Sequence, residues 1–323
     1  MLEQPAAEDL ATFWRATPGD MAEYLAARML ARKVRGKRPK PSFILAPHIA
    51  LLNRWVMDAV TTDRKRLIVA MPPQHGKSTY ISQWFPVWML EHFPDWNVIL
   101  ASYGARYAGT WGRRVRNTIK ENEDLLTVRL AIDSKAANRW NTQSGGGMVT
   151  DGVGGGLTGQ TGDVIVVDDP FKNMEEANSP LHRAKVWEWW ESVIEPRLGP
   201  DSIVIVMHTR WHVADLAGML IEQSKEKERT KDPDYVPWKV LSLPALAEQD
   251  DPLGRAPGEP LFPQIKPLKF LMQQKASKSD YVWEALYQQR PSPASGGTFQ
   301  RGWFRYYEIE GDGYRLIYHA DRE

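Results

Sequence analysis

Residues 71–78 read Met-Pro-Pro-Gln-His-Gly-Lys-Ser, with an apolar run before them and a helix-like segment after. A strand-to-helix junction of this kind points amide N–H groups and a helix N-terminus at phosphate oxygens. In such a phosphate loop Lys77 reaches the β- and γ-phosphates, the Ser78 hydroxyl sits on Mg, and Gly76 lets the backbone come close. Gln74, His75 and Thr79 complete the expected nucleotide-binding turn. Met71 stands where the usual pattern has its first glycine, and Gly-Lys-Ser alone recurs by chance, so the flanking elements carry the reading. The plain alternative is a Pro-Gly turn that holds nothing.

A second group lies in DVIVVDDP at 163–170, four apolar residues ending in paired carboxylates. A Walker B strand presents its acids to a metal and to an attacking water in this way. Asp168 is placed to coordinate Mg through water, and Asp169 to orient or deprotonate the nucleophilic water. Without the phosphate loop, Asp-Asp-Pro would only turn the chain off a strand. The second acid of such a strand is more often Glu; Asp moves the carboxylate back by about 1.5 Å, one C–C bond.

The elements that must position these groups are legible as alternating strand-like and helical segments. RLIVAM at 66–71, NVILASY at 97–103, DVIVVDD at 163–169 and SIVIVMH at 202–208 read as buried strands. Helical segments follow, STYISQWFPVWMLEHF after the first and ARYAGTWGRRVRNTIKEN after the second, with a tryptophan-rich helix at 180–195. Strands separated by helical crossovers predict an α/β fold with a largely parallel central sheet flanked by helices. Residues 143–162 form a glycine-rich stretch before the acidic strand. Ahead of all this, 8–34 read as one or two helices running into a basic stretch at 32–40, either a phosphate-tracking patch or a solvated linker. Beyond about 226 the chain turns charged and then rich in Pro and Gly around one helix, which reads as a lid or linker.

Composition sets bounds. The chain of 323 residues has room for a large core or two domains. It has no cysteine, which removes disulfides, thiolate zinc sites and Cys nucleophiles. Net charge is only +1, so any contact with nucleic acid must come from a local patch. Its 14 tryptophans suit cores and subunit contacts better than stacking on bases. No apolar run approaches the roughly 20 residues that cross a bilayer, and the acidic N-terminus is unlike a signal peptide. No association with a membrane is expected.

Taken in order, several blocks resemble the large terminase subunits of tailed phages and related prophages. They are PHIALLNRW (47–55) ahead of MPPQHGKST, ASYGARYAGTWGRRVR (101–116), NRWNTQSGGGMVTDGVGGGLTGQTGDVIVVDDPFKN (138–173), MHTRWHVADLAGML (207–220) and WEALYQQRPSPASGGTFQRGWFRYY (283–307). The resemblance implies a P-loop NTPase of the ASCE or RecA-like type. It implies an ATP- and Mg-dependent motor that drives double-stranded DNA into a procapsid, in the host cell cytoplasm. Portal protein and small terminase subunit are the implied partners, with assembly as a homo-oligomeric ring, a pentamer. Thr209 and Arg210 match the family's coupling motif, and a Thr hydroxyl with an Arg fork beside the phosphates could sense loss of the γ-phosphate. Pairing of Arg210 with Asp215 to hold a loop is the other reading. His48 stands where related motors contact the adenine; a structural histidine fits the place equally well.

Two departures from the family pattern stand out. The arginine often found in the P-loop or just before the Walker B strand is replaced by Gln74, Thr158 and Gln160 in that neighbourhood. Arg139, Arg183, Arg197 and Arg210 remain candidates for the finger, in cis or across a subunit boundary. YRLIYHADRE at 314–323 resembles only the first strand of an RNase H-like nuclease, with Asp321 in the place of its first metal-binding acid. Two-metal cleavage needs carboxylates from several strands, so no nuclease activity is expected. The expected division is a helical and basic segment at 1–40, an ATPase domain at 41–245, a lid or linker subdomain at 246–300 and a truncated nuclease start at 301–323. A helicase-like remodelling ATPase and a truncated prophage product without turnover are the alternatives to a packaging motor.

Overall fold

In the computed structural model of the chain, the described residues are 13–32, 43–133, 136–157, 159 and 161–292, with the backbone of two strands at 306–310 and 313–317. Helices α1 (Pro18–Arg32) and α2 (Pro47–Thr61) precede strand β1 (Arg66–Ala70). Helix α3 then runs through Lys77–Thr79, a π turn at Tyr80–Trp84, and Phe85–His92. The π turn has a local cause. Pro86 has no amide to give the carbonyl four residues back, and its ring crowds that carbonyl, so the helix widens just ahead of it.

Next come β2 (Asn97–Ser102), α4 (Ala105–Glu121), β3 (Arg139–Asn141), β4 (Gly147–Gly152) and β5 (Gly162–Asp168). Helices α5 (Met174–Asn178) and α6 (Pro180–Trp189) follow, then β6 (Leu198–His208), α7 (Leu216–Arg229) and β7 (Lys239–Ser242). The tryptophan-rich segment expected as one helix at 180–195 ends its α turns at Trp189 and continues through a π and a 3-10 turn. Last come α8 (Leu268–Ala276), α9 (Asp280–Val282) and an antiparallel pair, β8 (Tyr306–Glu310) with β9 (Gly313–Ile317).

Seven strands form one sheet in the order β3-β4-β2-β5-β6-β1-β7. All neighbours are parallel except β3 against β4. The four strands expected from apolar runs are its centre. Three more were not legible: β4 lies inside the glycine-rich stretch, and β3 and β7 are too short to show a pattern. Alternation along each strand splits the core in two. Leu67, Val69, Val98, Leu100, Val164 and Val166 pack with α1 to α4 on one face. Ile68, Ile99, Ala101, Ile165 and Val167 pack with α6 and α7 on the other. The segment after β7 gathers around a small cluster of Ala245, Leu271 and Trp283, yet Leu243 and Leu261 sit in the main core. Among the described residues no helix is long and apolar enough to cross a membrane.

Candidate functional site

Parallel register brings three strand ends to one edge. Ala70 pairs with His208, Asp168 with Met207, and Ser102 with Asp168. Strand β6 therefore separates β1 from β5 and sets the distance between the candidate phosphate loop and the acids. Two adjacent strands lie about 4.8 Å apart, so a long Lys side chain from the loop can reach across β6.

It does. Lys77 Nζ lies 3.1 Å from Asp169 Oδ2 and donates to Thr209 Oγ1 at 2.6 Å. Asp169 Oδ1 accepts from the Thr209 amide at 2.6 Å. Asp169 adopts φ 48°, a left-handed conformation that short Asp and Asn side chains tolerate better than long ones. The shorter acid at this position is thus matched to a backbone that turns sharply off β5.

Asp168 is fully buried. Ser78 Oγ donates to its Oδ1 at 3.1 Å and Ser82 Oγ to its Oδ2 at 2.8 Å. Ser78 and Ser82 are four apart, one above the other on α3. Burial is the main cause that raises the Asp168 pKa to about 7, with the Asp169 charge adding to it. Lys77 and the two serine hydroxyls pull it back.

The loop itself is bent by left-handed residues, Gln74 at φ 61° and Gly76 at φ 89°. Gly76 also faces Ile49, whose Cδ1 would lie 3.4 Å from an added Cβ. Two histidines brace the loop from behind. His48 Nε2 donates to the His75 carbonyl and His75 Nδ1 to the Pro73 carbonyl, each at 2.9 Å. Both rings are buried, which lowers their pKa values to about 4. Phe262 packs on His48 with ring centroids 4.8 Å apart, and Lys266 Nζ donates to Gln74 Oε1 at 2.7 Å. The segment after β7 therefore abuts the loop.

The structure brings together Gln74, His75, Gly76, Lys77, Ser78, Asp168, Asp169 and Thr209. Thr79 lies one residue further along α3. Arg210 donates through Nε to both oxygens of Asp215, at 3.0 Å each. Buried Asp215 also caps α7 by accepting from the Gly218 amide. Arg183 and Arg197 donate to main-chain carbonyls, of Ala177 and of Leu157 and Val193. Arg139 is exposed on β3 with no polar partner among the described residues. Thr158, Gln160, Asp321 and the basic residues 33–40 lie outside the described residues.

Some contributors escaped the sequence reading. Ser82 could have been found from its four-residue spacing to Ser78. Lys266 and Gln289, whose Oε1 accepts from the Arg210 amide at 3.3 Å, gave no local signal. Among the described residues no group of three or more His, Asp or Glu side chains could hold a metal ion. Ser78 and Asp168 offer two hard oxygens, which suits Mg only when phosphates supply the rest of the shell.

A family described as the N-terminal part of terminase large subunits of the T4-like-virus type matches residues 68–306. Among solved structures, a variant of the ATPase domain of the Thermus phage P74-26 large terminase aligns with a TM-score of 0.52 at 13% identity, over 85% of this chain and 99% of that one. The HK97 bacteriophage large terminase gives 0.49 at 12%, over 85% and 55%. The large terminase of a further, thermophilic bacteriophage, in complex with ATP-gamma-S, gives 0.42 at 11%, over 72% and 51%. This chain thus spans about half the length of the latter two. No curated protein matches it.

Proposed function

We infer, from the premise that this chain belongs to the family of T4-like-virus-type terminase large subunits, that it is the ATP-hydrolysing motor part of a DNA-packaging machine. One observation carries the reading: Lys77 and Asp169 meet at 3.1 Å across β6 while Ser78 and Asp168 meet at 3.1 Å beside them. A lysine from a phosphate loop and two acids from the strand beyond β6 then face the same triphosphate. In this proposal Lys77 exchanges its contact with Asp169 for the β- and γ-phosphates. That frees the Asp169 carboxylate to accept a hydrogen bond from the attacking water. Ser78 and Asp168 would hold Mg, which offsets phosphate charge when bound. Gln74, His75, Gly76 and Thr79 line the phosphates, and His48 supports that loop through the His75 carbonyl.

Thr209 touches Lys77 through its hydroxyl and Asp169 through its amide, so it registers both ends of the change. Arg210, bound to Asp215, carries that signal into α7 and, through Gln289, into the following segment. We assign 41–245 to the ATPase domain and 246–300 to a lid or linker subdomain. Double-stranded DNA, portal protein and small terminase subunit are the proposed partners, with a homo-oligomeric ring in the host cytoplasm. Purified chain should hydrolyse ATP, and Lys77→Ala or Asp169→Asn should each lower turnover by at least about a hundredfold, as loss of electrostatic catalytic groups does. Unchanged turnover in both variants would remove the proposal.

A further inference from the structure

Helix α4 carries Arg106, Arg113, Arg114, Arg116 and Lys120, and no acid before its last residue, Glu121. Its buried face, Ala108, Trp111, Val115, Thr118 and Ile119, is spent on the core. Arg106, Arg113 and Lys120 repeat every seven residues, close to two helical turns, and so stand in one exposed row. That row is about 21 Å long at 1.5 Å per residue. Thr110 and Asn117 lie between the cations, and Arg114 and Arg116 flank them.

The exposed cations of α7 are matched locally. On α7, Lys225 pairs with Glu222 and Arg229 with Glu226, while Lys227 reaches Asp232 beyond the helix. On α4, Arg106, Arg113 and Lys120 have no carboxylate or other polar partner among the described residues. Arg114 lies over the Trp111 ring at 4.6 Å and Arg116 donates to the Ala136 carbonyl. In a chain with 41 basic and 40 acidic residues, a single-sign row of this length is a segregated charge. The row holds no large apolar side chain, unlike the core of a protein–protein contact. Arginine, lysine, threonine and asparagine side chains are the ones that hold phosphates along a duplex.

We propose that the outer face of α4 holds the phosphate backbone of double-stranded DNA. The identity of the polyanion rests on the packaging reading above; the charge and its exposure do not. The helix is also tied to the acids at its start. The Tyr103 amide donates to the Asp169 carbonyl at 3.1 Å, and Tyr103 stacks on Tyr107 at 5.1 Å. Tyr107 meets Trp111 edge-on at 6.1 Å. DNA held on this face would thus be gripped by an element anchored at the end of β5.

The test is equilibrium binding of a labelled duplex to the full chain, without nucleotide, across a salt series. The triple variant R113Q/R114Q/K120Q should bind at least about tenfold more weakly at about 50 mM salt. Its plot of log affinity against log salt should be shallower by about 2 to 3, near 0.9 per lost phosphate contact. The α7 control K225Q/K227Q/R229Q should bind as the parent does, and melting curves should show both variants folded. Parental affinity and slope in the triple variant overturn the proposal, as does a parent that binds no duplex. Polyglutamate bound as tightly as DNA would overturn it too. None of these readings depends on ATP turnover, so failure here and failure of the motor reading are separable.

Discussion

Asp168 sits where its charge is disfavoured until something positive is brought beside it. Its pKa, raised by burial to about 7 from the ordinary 3.8, means that the folded chain holds a proton there that the unfolded chain releases. Between those two values stability falls as pH rises, and above about 7 it levels off at the lower value. Asp168→Asn should therefore raise the thermal midpoint of the nucleotide-free chain at about pH 8, with the difference vanishing below about pH 4. The buried histidines titrate in the opposite sense, but they are common to both proteins and cancel in the comparison. An unchanged midpoint at alkaline pH would show that the carboxylate is not held against its charge. At this scale the sequence was informative where chemistry is local: Lys77, Ser78 and the two acids were read from motif and strand end. The ionic contact of Lys77 with Asp169 was not, because it depends on which strand lies between them. Nor was the fixed position of Arg210, since either Asp215 or a phosphate could have taken its fork.

At the scale of elements, the phosphate loop is shaped by what stands behind it. Helix α2 supplies His48, the segment after β7 supplies Phe262 and Lys266, and the loop contributes left-handed Gln74 and Gly76. Removing the imidazole leaves the buried His75 carbonyl without its donor, a loss of about 1–3 kcal/mol. His48→Ala should lower stability to denaturant by that amount or more, and His48→Gln, which keeps an N–H donor, should recover part of it. Equal losses in the two variants would mean that packing against Phe262, not the hydrogen bond, is what matters. Helix α3 was legible in the segment STYISQWFPVWMLEHF, whereas α2 stood only as a block of resemblance and not as a helix. The π turn at Tyr80–Trp84 was not, because the one signal for it, Pro86, also fits a simple kink. Strand β4 was hidden because glycine-rich composition reads as loop, whereas here small residues let β3, the start of α4 and the turn before β2 crowd against it.

At the scale of the whole molecule, strand order decides which arginine can serve which nucleotide. Arg139 is on β3, three strand steps from β5 and five from β1, or about 14 and about 24 Å at 4.8 Å per step. No arginine side chain spans either gap, so Arg139 can reach only a nucleotide held by a neighbouring copy. If it does so in a ring, turnover per chain should rise with protein concentration, and Arg139→Ala should abolish the rise while subunits still associate. A rise of equal size in the variant, measured by turnover alongside light scattering, would exclude the residue. The parallel sheet itself was legible from four apolar runs, but its order was not, because pairing over such sequence distances leaves no local trace.

That order also governs how the chain can come to be. Strand β1 is flanked by β6 and β7, both made long after it. A nascent polypeptide on the ribosome therefore carries RLIVA unpaired until residues 198–208 emerge. Only then can Lys77 find Asp169 across the strand that separates them. The proposed nucleotide site is a late product of translation, and the half-made protein must keep an apolar strand out of trouble in the meantime.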